Sequence, residues 1–106
     1  MVNVPAQGEL WWVEEPELGR RPVLVVTRSW ATDLLGAIVV APVTRTIRGI
    51  PTELRLGRDD GLRDECVASF DNLMTTRRSL FVERAGGLAD GRVHELCERL
   101  AAVADC

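Results

Sequence analysis

Apolar positions along the chain change their spacing once, close to the C-terminal end. Up to about residue 85 they come in short blocks separated by Gly, Pro and charged residues, the signature of successive strands and turns. Glu9 to Val13 carries Leu10, Trp11, Trp12 and Val13 and predicts a first strand, with one indole inward and its neighbour on the opposite face. Val23-Leu24-Val25-Val26 followed by Thr27 is rich in β-branched residues and predicts a strand buried on both faces. Ala37 to Val43 is a third such run, in which Pro42 demands an edge or bulge position because it has no N–H to give a ladder. Shorter extended patterns follow at Thr52 to Leu56, Cys66 to Phe70 and Leu80 to Arg84. The segments between them are polar: Glu14 to Arg20 with Pro16 and Gly19, Trp30 to Gly36, Arg45 to Pro51 with Gly49, and Gly57 to Glu65 with Asp60-Gly61 as a turn signal. Asp71 to Ser79 is mixed and polar and reads as a loop containing one helical turn. After Gly86-Gly87 the period becomes helical, since Leu88, Val93, Leu96, Cys97, Leu100, Ala101 and Ala104 fall on one face. A helix is expected from about Ala89 to Ala104, with Asp90 near its start complementing the free N–H groups. Six short strands and a terminal helix predict a mainly β (α+β) fold, a small curved antiparallel barrel or half-barrel.

The length of 106 residues fits one core, so a single domain over residues 1–106 is expected. No apolar run approaches the roughly 20 residues of a bilayer span, and the first ten residues lack the basic and apolar regions of a signal peptide. The expectation is a cytoplasmic protein without a membrane partner. Cys66, Cys97 and Cys106 have no paired spacing, which argues for reduced thiols, and with a single His there is no metal-ligand pattern. The net charge of −3 speaks against indiscriminate nucleic-acid binding and leaves room for a local basic site. Lysine is absent, and all 13 cations are arginines, whose planar fork of donors suits phosphate.

Familiar catalytic sets are missing: there is no phosphate-binding Gly-rich loop, no Gly-x-Ser-x-Gly and no second His to share acid–base work. His94 falls beside the apolar stripe of the expected helix, and Cys66 in a strand reads as a buried thiol. The three Trp could stack on bases or anchor a core. What remains is a strand-end pair. Pro22 pushes Arg21 into the extended region at the entry to the second strand, and Thr44 ends the third. If these strands are antiparallel neighbours, a guanidinium and a hydroxyl meet on one rim, with Arg45 and Arg48 in the turn beyond. Donors so placed suit the developing charge of a phosphoryl group.

The same residues carry a family likeness. Gly8-Glu9-Leu10-Trp11-Trp12-Val13, Gly19-Arg20-Arg21-Pro22-Val23-Leu24-Val25-Val26, and the run Ala41-Pro42-Val43-Thr44-Arg45-Thr46-Ile47-Arg48-Gly49-Ile50-Pro51-Thr52-Glu53 resemble the MazF (PemK-like) toxins of type II toxin–antitoxin pairs. The likeness continues through Gly61-Leu62, Glu65-Cys66-Val67-Ala68 and Phe70-Asp71-Asn72-Leu73. It implies an SH3-like barrel, a homodimer, and a cofactor-free, metal-independent endoribonuclease that cuts single-stranded RNA at short sequences. The 2′-hydroxyl attacks the adjacent phosphate to leave a 2′,3′-cyclic phosphate and a 5′-hydroxyl. It also implies inhibition by a MazE-like antitoxin with an acidic disordered tail. By position, Arg21 and Thr44 match the catalytic pair, and Arg20, Arg45, Arg48, Asn72, Thr75 and Arg77 fall where RNA contacts are expected. The chain departs from many members in its shorter Glu14 to Arg20 loop, in Cys66 for serine, and in Met74 for arginine or histidine beside Thr75. Two other readings compete: a CcdB-like toxin that binds DNA gyrase without chemistry, and an inactive paralogue that only sequesters antitoxins. The gyrase-binding mode would rely on the C-terminal helix and needs no rim pair.

Overall fold

Glu15 pairs with Gly19 across a three-residue turn, and this tight hairpin starts the sheet. Gly19, which closes the turn, has φ +78°, a left-handed conformation that glycine adopts without a Cβ penalty. The computed structural model describes residues 4–32, 34–89 and 91–105. In chain order the elements are β1 (Glu9–Glu15), β2 (Gly19–Val25), α1 (Ser29–Thr32), β3 (Ala37–Thr44), β4 (Glu53–Leu56), β5 (Cys66–Ser69), β6 (Met74–Arg77), β7 (Phe81–Gly87) and α2 (Val93–Val103). Single 3-10 turns lie at Arg58–Asp60, Phe70–Asn72 and Arg78–Leu80.

All pairings are antiparallel, in the order β4-β5-β3-β2-β1-β7, and β6 adds to β3. The sheet curls into a half-barrel because β3 changes partner along its length. Its first half, Ala37 to Val40, pairs with β6, and its last residues, Val43 and Thr44, pair with β5. Pro42 falls in the gap between those two pairings, so a proline is accommodated in a central strand rather than at an edge. Alternation along the strands sends Leu10, Leu24, Ala41, Leu54, Ala68 and Phe70 to one core and Trp11, Val13, Val23, Val25, Ile38, Val40 and Phe81 to another. Trp11 packs edge-on against Phe81 at 6.1 Å, whereas Trp12 is turned to the opposite side and only half-buried, as the sequence pattern predicts.

Four expectations are corrected. β2 starts at Gly19, so Arg21 and Pro22 lie inside the strand, opposite Val13 and Trp12. Asp71 to Ser79 is not a loop: it holds β6 between two 3-10 turns, and only Thr76 of that strand is buried. β6 escapes the hydrophobic pattern because its ladder to β3 is made by backbone groups and asks little of the side chains. The helix begins at Val93 rather than Ala89, and Asp90 and Cys106 lie outside the described residues. Its apolar stripe is also largely outward, since Leu96 is fully buried while Val93, Cys97 and Leu100 are exposed.

Polar bonds explain that turn of α2. Arg92 donates to both carboxylate oxygens of buried Asp60 (2.9 Å each), to the Arg55 carbonyl (2.7 Å) and to Glu95. Asp60 also accepts the N–H groups of Gly57 and Ala89. About two turns further on, Arg99 donates to the Glu53 carbonyl at 2.9 Å. Gly86 is needed where β7 passes this knot, because a Cβ there would run into the Asp60 carbonyl oxygen.

Candidate functional site

The register Val23–Pro42 and Leu24–Ala41 between β2 and β3, continued by two residues, brings Arg21 opposite Thr44. Strand alternation turns both toward the same side as Val23 and Val40, at the rim where that core ends. There they line a groove of about 430 Å³ together with Pro42, Val43, Thr46, Arg48, Ser69, Asn72 and Met74.

The two adjacent arginines of β2 differ in their partners. Arg20 forms ion pairs with Glu14 and Glu83 and lies over the Trp12 ring at 5.2 Å. Arg21 is exposed and, among the described residues, has no ion pair or side-chain hydrogen bond, so its charge is available to a ligand. Thr44 Oγ1 accepts the Thr46 N–H at 3.1 Å. That bond uses one lone pair of the oxygen and leaves the hydroxyl its own hydrogen to donate. Across the groove, Asn72 Nδ2 donates to Ser69 Oγ at 2.8 Å, which fixes the amide on the opposite wall.

The Arg48 wall is held by a buried acid. Glu53, 6% exposed, accepts the N–H groups of both Arg48 and Gly49 through Oε1 (3.0 and 2.9 Å). Those bonds fix the backbone of the Arg45 to Pro51 turn, and the Arg48 guanidinium has no ion pair or side-chain hydrogen bond among the described residues. Sequence reasoning passed over Glu53, Thr46 and Ser69. Thr46 had a signal in its i, i+2 spacing from Thr44, whereas Glu53 looked like an ordinary polar residue in a short alternating strand.

A second groove of about 480 Å³ shares Val43 and Thr44 with the first. Trp12, Pro22, Arg45, Leu62, Arg63, Asp64 and Cys66 complete it. Arg45 therefore borders the site from the far side of Thr44, 3.7 Å from Asp64. Burial, reinforced by the charges of Asp60, Asp64 and Glu65, pushes the Cys66 thiol up, which makes it an inert group. The remaining positions are not brought to either groove. Thr75 and Arg77 lie on β6 opposite Val39 and Ala37, and Ala37 is at the far end of β3 from Thr44. His94 is exposed on α2 beside Glu98. No group of three or more His, Cys, Asp or Glu among the described residues is placed to hold a metal.

A family model described as "PemK-like, MazF-like toxin of type II toxin-antitoxin system" matches residues 6–104. The chain belongs to this family. It is 43% identical over 101 residues to a probable endoribonuclease, MazF2, of Mycobacterium tuberculosis, covering 94% of this chain and 98% of that one. Among solved structures, the M. tuberculosis toxin MazF-mt6 superposes with a TM-score of 0.83 at 29% identity, covering 92% of this chain and 96% of that one. A MazE–MazF crystal structure (Form III) from Deinococcus radiodurans matches with a TM-score of 0.76 at 25% identity, over 96% and 97% of the two chains. The mainly β fold expected from the sequence is that of these toxins.

Proposed function

We propose that this toxin-family endoribonuclease cuts single-stranded RNA at short sequences, with Arg21 and Thr44 as its catalytic pair. The observation that carries the reading is the unpaired Arg21 cation sharing one groove with a Thr44 hydroxyl whose hydrogen is free. In the reaction the ribose 2′-oxygen loses its proton and bonds to the adjacent phosphorus. The bond from phosphorus to the 5′-oxygen then breaks, and that oxygen takes up a proton. The ends are a 2′,3′-cyclic phosphate and a 5′-hydroxyl. Negative charge grows on the non-bridging oxygens between these events, and preformed donors there lower the barrier by about 3 kcal/mol each. Arg21 supplies charge and a bidentate fork rather than acting as a base, because a guanidinium keeps its proton. Arg48 and Asn72 line the same groove and suit flanking phosphates or bases.

The partner that restrains such a nuclease is an antitoxin of the MazE type, by analogy with the MazE–MazF pairs among its structural neighbours. An acidic tail that orders on binding would put carboxylates where RNA phosphates sit, since arginine takes either group in the same geometry. The place of action is the cytoplasm.

Incubating purified protein with a long RNA in EDTA and mapping the ends tests the reading. The expected result is discrete cuts with cyclic phosphate and 5′-hydroxyl termini, lost in Arg21→Ala while the fold is retained. Intact RNA with the wild-type protein would favour the gyrase-binding or antitoxin-sequestering alternatives. Wild-type turnover by Arg21→Ala would remove Arg21 from the mechanism.

A further inference from the structure

The hollow beyond Thr44 has a character unlike the catalytic groove. It is lined by the Trp12 indole, Pro22, Val43, Leu62 and Cys66 together with the charged side chains of Arg45, Arg63 and Asp64. Trp12 is half-buried on β1 directly opposite Pro22 on β2, and strand alternation puts both on the same side of the sheet. Arg20 is diagonal to Trp12 on that hairpin, lies over its ring at 5.2 Å, and is itself tied down by Glu14 and Glu83. Arg20 does not line the hollow. The indole is therefore clamped from one side by a fixed cation and still presents surface to the hollow from another, a rigid platform that loses little freedom when something packs on it.

We infer that this hollow is a nucleobase subsite, in which Trp12 stacks on the unpaired base of a nucleotide flanking the cleaved bond. The inference rests on the ribonuclease reading and adds a specificity-determining residue to it. Three observations favour a nucleotide as occupant. The hollow shares the lining residues Val43 and Thr44 with the catalytic groove but opens on the other face of the β2–β3 rim, so a strand that turns over that rim at Thr44 carries its neighbouring nucleotide into it. Its volume of about 480 Å³ lies within the range of about 300–1,000 Å³ typical of pockets that enclose small molecules. Its make-up, an indole and aliphatic side chains lined alongside two arginines, is that of single-strand sites, where bases stack and cations track the backbone. Arg63 has no ion-pair or side-chain hydrogen-bond partner among the described residues and is the rim cation available for the outgoing phosphate. Arg45 is partly neutralised by Asp64. Trp30, by contrast, is 68% exposed under Arg28 and lines neither groove, so the assignment is confined to one of the three indoles.

The test uses a short RNA spanning one mapped cut site, in which an abasic ribonucleotide replaces each of the two nucleotides flanking the scissile phosphate in turn. With wild-type protein, removing the base at one of these positions is expected to raise KM about tenfold. Trp12→Leu, which keeps apolar bulk without a stacking face, should raise KM on the intact RNA by a similar factor and add little on the abasic RNA. Trp12→Phe should recover most of the loss. An unchanged KM for Trp12→Leu, or a further rise of the same size on the abasic RNA, would overturn the assignment and leave the hollow to a protein partner. Indifference of the wild-type protein to base removal at both positions would overturn it without recourse to any variant. Absence of cleavage altogether would instead remove the ribonuclease reading, and the subsite with it.

Discussion

At the scale of single residues, the site depends on what each polar atom is already bonded to. Thr44 Oγ1 accepts the Thr46 N–H through one lone pair, and its hydrogen stays available for donation. Thr44→Val should therefore lower kcat by about 10²-fold with KM little changed, the loss typical of one transition-state donor. Thr44→Ser should retain most activity, and steady-state kinetics on a defined RNA would check both. A kcat unchanged in Thr44→Val would leave Arg21 to act without the hydroxyl. Arg20 and Arg21 make the complementary point, because two neighbours of identical chemistry are separated by the acids around them. Glu14 and Glu83 occupy Arg20 and leave Arg21 without an ion pair among the described residues.

At the scale of elements, two arginines of the C-terminal segment bind the sheet where the apolar stripe does not. Arg92 meets an Asp60 carboxylate that is 2% exposed, and removing one partner of such a pair leaves a buried charge uncompensated. Arg92→Ala should cost about 3–5 kcal/mol in urea unfolding; a loss under 1 kcal/mol would mean that water reaches Asp60 easily. Arg92 also holds the Glu95 carboxyl below its ordinary range, chiefly through their hydrogen bond. A folded-state pKa depressed in this way stabilises above the unfolded value of about 4.3 and loses that contribution as pH falls through the folded one. Urea midpoints between pH 6 and 3 should therefore converge for wild type and Glu95→Gln at the acid end. The turn bearing Arg48 is controlled similarly by Glu53. Glu53→Ala frees two backbone N–H groups and should raise KM for RNA more than it lowers kcat, while Glu53→Gln, which keeps an acceptor, should restore KM. Equal behaviour of the two variants would argue that Glu53 only packs.

At the scale of the molecule, considerable apolar surface remains outside the two cores. Trp30, Leu34, Leu35, Val93, Leu100 and Val103 are all exposed. Val93, Leu100 and Val103 share one short helix, and apolar surface gathered in this way marks interfaces. A homodimer is the expected outcome, with light scattering at micromolar concentration giving twice the 11.7 kDa chain mass. A fully active monomer would contradict it. RNA bound by such a dimer should be released by rising salt, since a chain of net charge −3 can hold phosphates only through local arginines.

The sequence by itself determined the strands that carry their own apolar signal. It determined the opposite faces of Trp11 and Trp12, and a rim pairing of Arg21 with Thr44 that needed only antiparallel neighbours to hold. The tertiary structure decided everything that depends on a distant partner. β6 exists because β3 offers it a backbone edge, a requirement that leaves no hydrophobic trace in Met74-Thr75-Thr76-Arg77. The face α2 buries was set by bonds from Arg92 to Asp60 and from Arg99 to Glu53, each spanning more than 30 residues, against the apparent vote of its apolar stripe. Six basic and polar residues shared the same expectation of RNA contact, yet Arg48 and Asn72 reach the Arg21 groove while Thr75 and Arg77 lie toward the other end of β3. Local pattern fixes which side of a strand a residue occupies; only the pairing of strands says which residues from different strands meet.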